Sequence, residues 1–157
     1  MAIADLLEEE DINLASLGIE LEKASYAYET QGECYYVLED GTFPFWVRVK
    51  SDPKFIILWS YMDVNDDVTE QQMLEFSNRT NRSLILPTTF IARKDEYAEG
   101  ESGHRLQADW AIIYRDGLIT SQFIRMCRIF SDSMFKIQDE IDEHHKYLRP
   151  VRTSRIP

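Results

Sequence analysis

Phe45-Trp-Val-Arg-Val-Lys-Ser-Asp-Pro-Lys-Phe-Ile-Ile-Leu-Trp-Ser-Tyr-Met62 is the stretch that decides the fold. Phe45, Val47 and Val49 alternate with Trp46, Arg48 and Lys50, the period of a strand with one wet face. Ser51-Asp52-Pro53-Lys54 turns the chain, because proline presets the bend. Phe55 to Met62 is apolar on both sides. Phe55, Ile57, Trp59 and Tyr61 point one way, and Ile56, Leu58 and Met62 the other. A strand of that kind is covered on both faces and belongs in the middle of a sheet.

Working outward from that hairpin, helices and further strands alternate without repeats. On the N-terminal side, residues 3–17 read as a short, broken helix with Gly18 at the left-handed C′ position. Tyr26 to Leu38 reads as two strands around Gln31-Gly32, and Asp40-Gly41 marks another turn. On the C-terminal side, Thr69 and Gln72 form a capping box, and Val68 and Met73 take the hydrophobic-staple positions. That helix runs to about Ser83, before Pro87. Strands at Thr89–Lys94 and Arg105–Arg115 follow, joined by an acidic loop from Asp95 to His104. In the second strand Leu106, Ala108, Trp110, Ile112 and Tyr114 share a face.

Thr120 to Leu148 carries a 4-3 stripe: Phe123, Cys127, Phe130, Met134, Ile137, Ile141, His144 and Leu148. Read as one helix capped by Thr120, it extends about 43 Å, beyond the length of an ordinary strand. Its first half is also apolar off the stripe (Ile124, Met126, Ile129) and reads as core. Its second half keeps only a narrow seam amid charge, the pattern that suits a partner helix or a second copy. Met134, Ile137, Ile141 and Leu148 are therefore the candidate protein-interaction residues. The competing assignment has the first helix cover them within the chain, through Ile3, Leu6 and Leu7.

Composition narrows the function classes. The 157 residues, 44% hydrophobic, suit one domain over residues 1–148, with residues 149–157 as a basic, disordered end. The net charge is −11; outside residues 149–157 it is 14 bases against 28 acids. Such a body repels phosphate backbones and argues against nucleic-acid binding. No apolar run approaches membrane-spanning length, and the acidic start lacks the marks of a secretory signal, so a cytoplasmic protein away from membranes is expected. Cys34 and Cys127 have no metal-type spacing and read as reduced structural thiols.

Nothing in the chain assembles chemistry. His144 and His145 are adjacent and point about 100° apart on a helix, unlike a metal pair four residues apart. Ser102-Gly103-His104 lacks the context of a nucleophile elbow. No glycine-rich phosphate loop occurs, so no catalytic residue, metal or cofactor is expected. Asn78 and Asn81 form a structural polar pair: asparagine is a mediocre helix former, and its gain here is amide bonding to loop or strand-end backbone.

The Trp46–Ser60 hairpin, the Thr69–Ser83 helix with its Asn78-x-x-Asn81, the second hairpin and the closing amphipathic helix resemble the YbjN-like family, over roughly residues 3 to 148. That resemblance implies the fold of type III secretion chaperones, which are small, acidic and usually dimeric, and a non-enzymatic bacterial regulator or protein-binding module. The tyrosine-rich first hairpin (Tyr26, Tyr28, Tyr35, Tyr36) and the long Asp95–His104 loop depart from it. Together these readings predict an α+β fold, an antiparallel sheet with helices mostly on one face, in the overall order α-β-β-β-α-β-β-α. The expected function is a homodimeric, chaperone-like or regulatory module that binds another polypeptide. The alternative is an acidic inhibitor or immunity-type protein that neutralises a basic enzyme.

Overall fold

In a computed structural model, residues 5–96, 99–100 and 103–151 are described. The Ser51–Lys54 turn works as the sequence predicts: β4 (Phe45–Ser51) and β5 (Lys54–Asp63) form a tight hairpin with Ser51 opposite Lys54. Around it lie β2 (Tyr28–Gln31), β3 (Cys34–Val37), β6 (Thr88–Arg93) and β7 (His104–Ile113). The six make one antiparallel sheet in the order β2-β3-β4-β5-β7-β6, with β5 central. Four strands of this sheet rather than three therefore precede the middle helix. A second, two-stranded ribbon joins β1 (Leu6–Leu7) to β8 (Leu118–Ile119).

Three helices, α1 (Leu14–Lys23), α2 (Glu70–Ser83) and α3 (Thr120–Lys136), supply the core on one face. Leu17, Leu21, Met73, Phe76, Phe123 and Phe130 pack with Val47, Ile56, Leu58, Met62, Leu106 and Ala108 in a single buried cluster. The Thr69–Gln72 capping box forms in both directions at 2.9 and 3.2 Å, and Met73 of the staple is fully buried. The antiparallel α+β architecture with helices on one side is thus what the periodicities predict.

The first helix is displaced. Asn13 caps it, accepting from the Ser16 N–H at 2.9 Å while the Ser16 hydroxyl accepts from the Asn13 N–H. The helix therefore starts at Leu14, and Leu6–Leu7 is extended instead; Ile3 lies outside the described residues. Gly18 is not a terminator but a helical glycine, and a Cβ there would lie 2.8 Å from both the Tyr28 hydroxyl and the Tyr35 ring. Its lack of a side chain is what lets β2 and β3 approach α1. Just after Leu6–Leu7, Glu9 pairs with Lys54 at 2.8 Å and accepts from the Asp116 N–H, which lowers its carboxyl pKa.

The closing helix is shorter than the stripe suggests, and Ile119 rather than Thr120 precedes its first turn, without a side-chain cap. α3 ends at Lys136 and widens into one π turn over Ile137–Ile141, closed by the Asp142 N–H donating to the Ile137 carbonyl at 3.0 Å. The chain then reverses. Asp142, fully buried, accepts from the Tyr147 and Leu148 N–H groups at 3.0 and 2.9 Å, with His144 and His145 left-handed at φ 60° and 52°. A buried carboxylate capping two amides outcompetes continuation of the helix.

Residues 149–151 are packed too. Leu148 bridges Val64, the Arg149 N–H donates to the Asp63 carbonyl at 2.8 Å, and Gln138 bonds both backbone groups of Val151. The folded unit therefore runs past 148; residues 152–157 lie outside the described residues.

Candidate interaction face

Because Ser51 lies opposite Lys54, β4 and β5 pair so that Trp46 meets Trp59, Arg48 meets Ile57 and Lys50 meets Phe55. These residues point away from the helices. Strand alternation extends the set in both directions, and one row crosses the whole sheet: Glu29, Tyr36, Trp46, Trp59, Asp109 and Thr88. The expectation that both sides of β5 are covered is wrong on this side. Its Phe55, Ile57, Trp59 and Tyr61 are half-buried by their neighbours in the sheet, not sealed by a helix.

The aromatic rings of this row stack. Tyr36 and Trp46 lie 4.6 Å apart, Trp46 and Trp59 4.5 Å, and Trp46 and Tyr61 5.5 Å, with interplanar angles of 30°, 13° and 15°. The Trp46 indole N–H donates to Gln31 at 3.0 Å, which fixes its orientation. Arg105 lays its guanidinium 4.2 Å over the Tyr61 ring and reaches Gln107 at 3.3 Å. Tyr36, Trp46 and Tyr61 also line a cleft of about 290 Å³ against Arg149, Pro150 and Val151. Towards the sheet's other end Ile113 is 67% exposed, and Phe90 on β6 is 37% exposed.

Asp109 stands beside Trp59 in the same row. Burial raises its carboxyl pKa, and no hydrogen bond or ion pair to it is found among the described residues. The other charges on the face are Glu29, which holds Gln31; Arg48 and Lys50 on β4; and Asp63, paired with Lys94 at 3.2 Å.

The seam expected to make contacts lies elsewhere, in the core. Met134, Ile137 and Leu148 are fully buried within the chain, and Ile141 is half-buried. The stripe continues as core through Ile137 because the π turn directs Ile137 and Gln138 inward, and Leu148 returns on a separate extended segment. Leu148 returns to the sheet beside Val64, so the chain's own reversal takes part in that cover, and Leu7 packs against the same core cluster. A cleft of about 480 Å³ beside this reversal is lined by Arg79, Glu140, His144 and Tyr147, charges of both signs. Arg79 is engaged there over the Phe76 and Tyr147 rings.

Asn81 and Asn78 part ways. Asn81 accepts from the Thr89 N–H at 2.8 Å and donates to the Thr89 carbonyl at 3.0 Å. Its amide thus takes the place of a neighbouring strand on the outer edge of β6, with Ser77 holding the Thr89 hydroxyl at 3.0 Å. Asn78 is exposed and makes no such bond among the described residues. The working pair on α2 is Ser77 and Asn81, four apart on one side of the helix.

Among the described residues no group of three His, Cys, Asp or Glu is placed to hold a metal, and no helix is long and apolar enough to cross a membrane. Both cysteines are free, and burial pushes the Cys127 thiol pKa up, which suppresses the reactive thiolate.

An antiparallel sheet covered by helices on one side and carrying a stacked aromatic row on the other defines a small α+β module with one unroofed face. Residues 3–143 match the family described as "YbjN: Putative bacterial sensory transduction regulator", and the chain belongs to the YbjN family. A solved structure of YbjN from E. coli, "a putative transcription regulator", superposes with a TM-score of 0.70 at 14% identity, covering 88% of this chain and 97% of that one. At that identity the likeness is one of fold. No curated protein matches the sequence.

Proposed function

We propose that the chain is a non-enzymatic regulatory module that binds another polypeptide on the open face of its sheet and acts as a homodimer in the cytoplasm. The observation that carries this reading is the row Tyr36, Trp46, Trp59, left without a helix over it in a protein whose other face is packed by helices. Ten residues of β5 and six strands give a face of at most about 33 Å by 24 Å. That is close to the ~800 Å² one partner contributes to a standard interface. The family's regulator description accords with binding in place of catalysis. For the copy-to-copy contact, support comes from the corner after α2, where Ile85 is 97% exposed beside Leu86 at 37%. Burying that corner between two copies leaves the open face free.

The test pairs affinity capture from native lysate with sedimentation. Wild type should retain a partner that Ile57→Asp loses while its circular dichroism is unchanged, and should sediment at twice 18.5 kDa. A partner held equally by Ile57→Asp would remove the open face from the reading, and a strict monomer would remove the dimer. A net charge of −11 favours a second reading, an acidic inhibitor of a basic enzyme. That reading requires complex formation to weaken steeply with added salt.

A further inference from the structure

The cross-strand row is asymmetric. Trp46 has a ring on each side, Tyr36 and Trp59. Tyr61, the next outward-facing residue of β5, has Arg105 over it and Gln107 opposite in the register. Trp59 has Trp46 on one side and, on the other, the carboxylate of Asp109. The face therefore holds one aromatic ring closed by a guanidinium from within the chain, and one adjacent ring whose neighbour is an acid with no cation on it among the described residues.

We propose that the Trp59–Asp109 pair receives the guanidinium of an arginine carried by the partner polypeptide, repeating between molecules what Arg105 and Tyr61 do within one. The inference rests on the polypeptide-binding reading above and names what that face recognises.

Three physical points favour arginine. A guanidinium is planar and weakly hydrated, so it can lie on an indole face while its edge donates two hydrogen bonds to a carboxylate; an ammonium cannot do both as well. Asp109 is half-buried between Trp59 and Thr88, and that burial discourages its carboxyl from ionising, so a cation arriving there restores what desolvation removed. The protein's overall charge of −11 draws basic segments towards it.

The remaining charges on the face define the register of the ligand. Arg105 is occupied on Tyr61 and Gln107, Asp63 by Lys94, and Arg149, beside the Trp46 and Tyr61 rings, by Asp66 at 2.6 Å. Arg48 and Lys50 lie on β4, across β5 from β7 and nearer the Ser51–Lys54 turn. A docking segment therefore places its arginine over β5 and β7 and keeps further bases away from β4.

The test uses the full chain and three synthetic pentapeptides differing only at the central residue: arginine, lysine or citrulline, the last matching arginine in shape without its charge. The readout is the indole N–H signal of Trp59 in two-dimensional NMR. The arginine peptide should shift that signal saturably, with the citrulline peptide roughly tenfold weaker and lysine between them. Asp109→Asn should reduce arginine binding to the citrulline level while melting and circular dichroism stay those of a folded protein.

Equal binding of arginine and citrulline, unchanged binding by Asp109→Asn, or no shift of Trp59 at millimolar peptide would each overturn the proposal. Failure here is separable from failure of the broader reading. A partner captured by wild type and lost by Ile57→Asp, with no preference for arginine, would leave polypeptide binding intact and remove only the arginine site.

Discussion

The two faces of the sheet are built from the same strands and differ in what finishes them. On the closed face Phe45, Leu58, Met62 and Leu106 meet Phe123, Phe130 and Phe76 from the helices, and all are buried to 1% or less. On the open face Trp46, Trp59 and Tyr61 cover one another face to face across strands, and solvent reaches each of them. Alternation along a strand guarantees two faces, but it does not say that both will be roofed. An amphipathic helix has one apolar side, so three helices gathered into a single layer can seal only one side of a sheet. The lesson is that aromatic stacking lets a large apolar surface stay folded and ordered without being sealed.

One substitution made on each face breaks this comparison most directly. Ile137→Asp places a charge in the closed core, where an unpaired acid is strongly disfavoured, and should cost about 4 kcal/mol or abolish folding in a denaturant melt. Ile57→Asp, on the open face, should stay within about 1 kcal/mol of wild type. Similar losses from the two would mean the faces are equivalent after all.

Asn81→Ala tests the edge between the faces. It removes the hydrogen bonds that satisfy both backbone groups of Thr89, and should lower stability by about 2 kcal/mol. The bared β6 edge should also raise self-association in light scattering. Asn78→Ala, by contrast, should leave both measurements unchanged.

The smallest effect concerns Asp109. Its folded carboxyl pKa is raised by burial. The protonated form is thus favoured in the fold, and stability is greatest below the unfolded carboxyl pKa and declines as pH rises through the folded one. Asp109→Asn should therefore melt slightly higher than wild type at pH 7, within about 0.5 kcal/mol. The difference should vanish as the pH falls below ~3.9, the unfolded carboxyl value. A variant less stable than wild type at pH 7 would show that Asp109 is paired, and would count against an acid awaiting a cation.

Much of the architecture was legible because it rests on local chemistry. Proline in Ser51–Lys54 and the Thr69–Gln72 box each act over four residues, and each formed where the sequence places it. The Trp46–Trp59 contact was missed, although a signal for it existed: once Ser51 is set opposite Lys54, the two indoles fall in register. The end of α3 was not legible. Asp142 stops the helix only because burial makes its two amide bonds to Tyr147 and Leu148 strong, and burial is supplied by strands far away in the chain. The stripe from Met134 to Leu148 therefore kept a helical spacing that the backbone abandons. Gly18 misled for a related reason: a glycine that ends a helix and one that admits two tyrosines look alike in sequence.

By itself the sequence determined the strands of the main sheet, the capped middle helix, the acidic charge and the absence of a recognisable catalytic motif, since periodicity, turn residues and caps act between near neighbours. Tertiary structure alone decided which apolar surface is spent on folding and which is left for contact. The pairing of β5 with β7, some fifty residues apart in the chain, is what sets Asp109 beside Trp59. The helical layer, closing on the other side, is what leaves them both reachable from solvent.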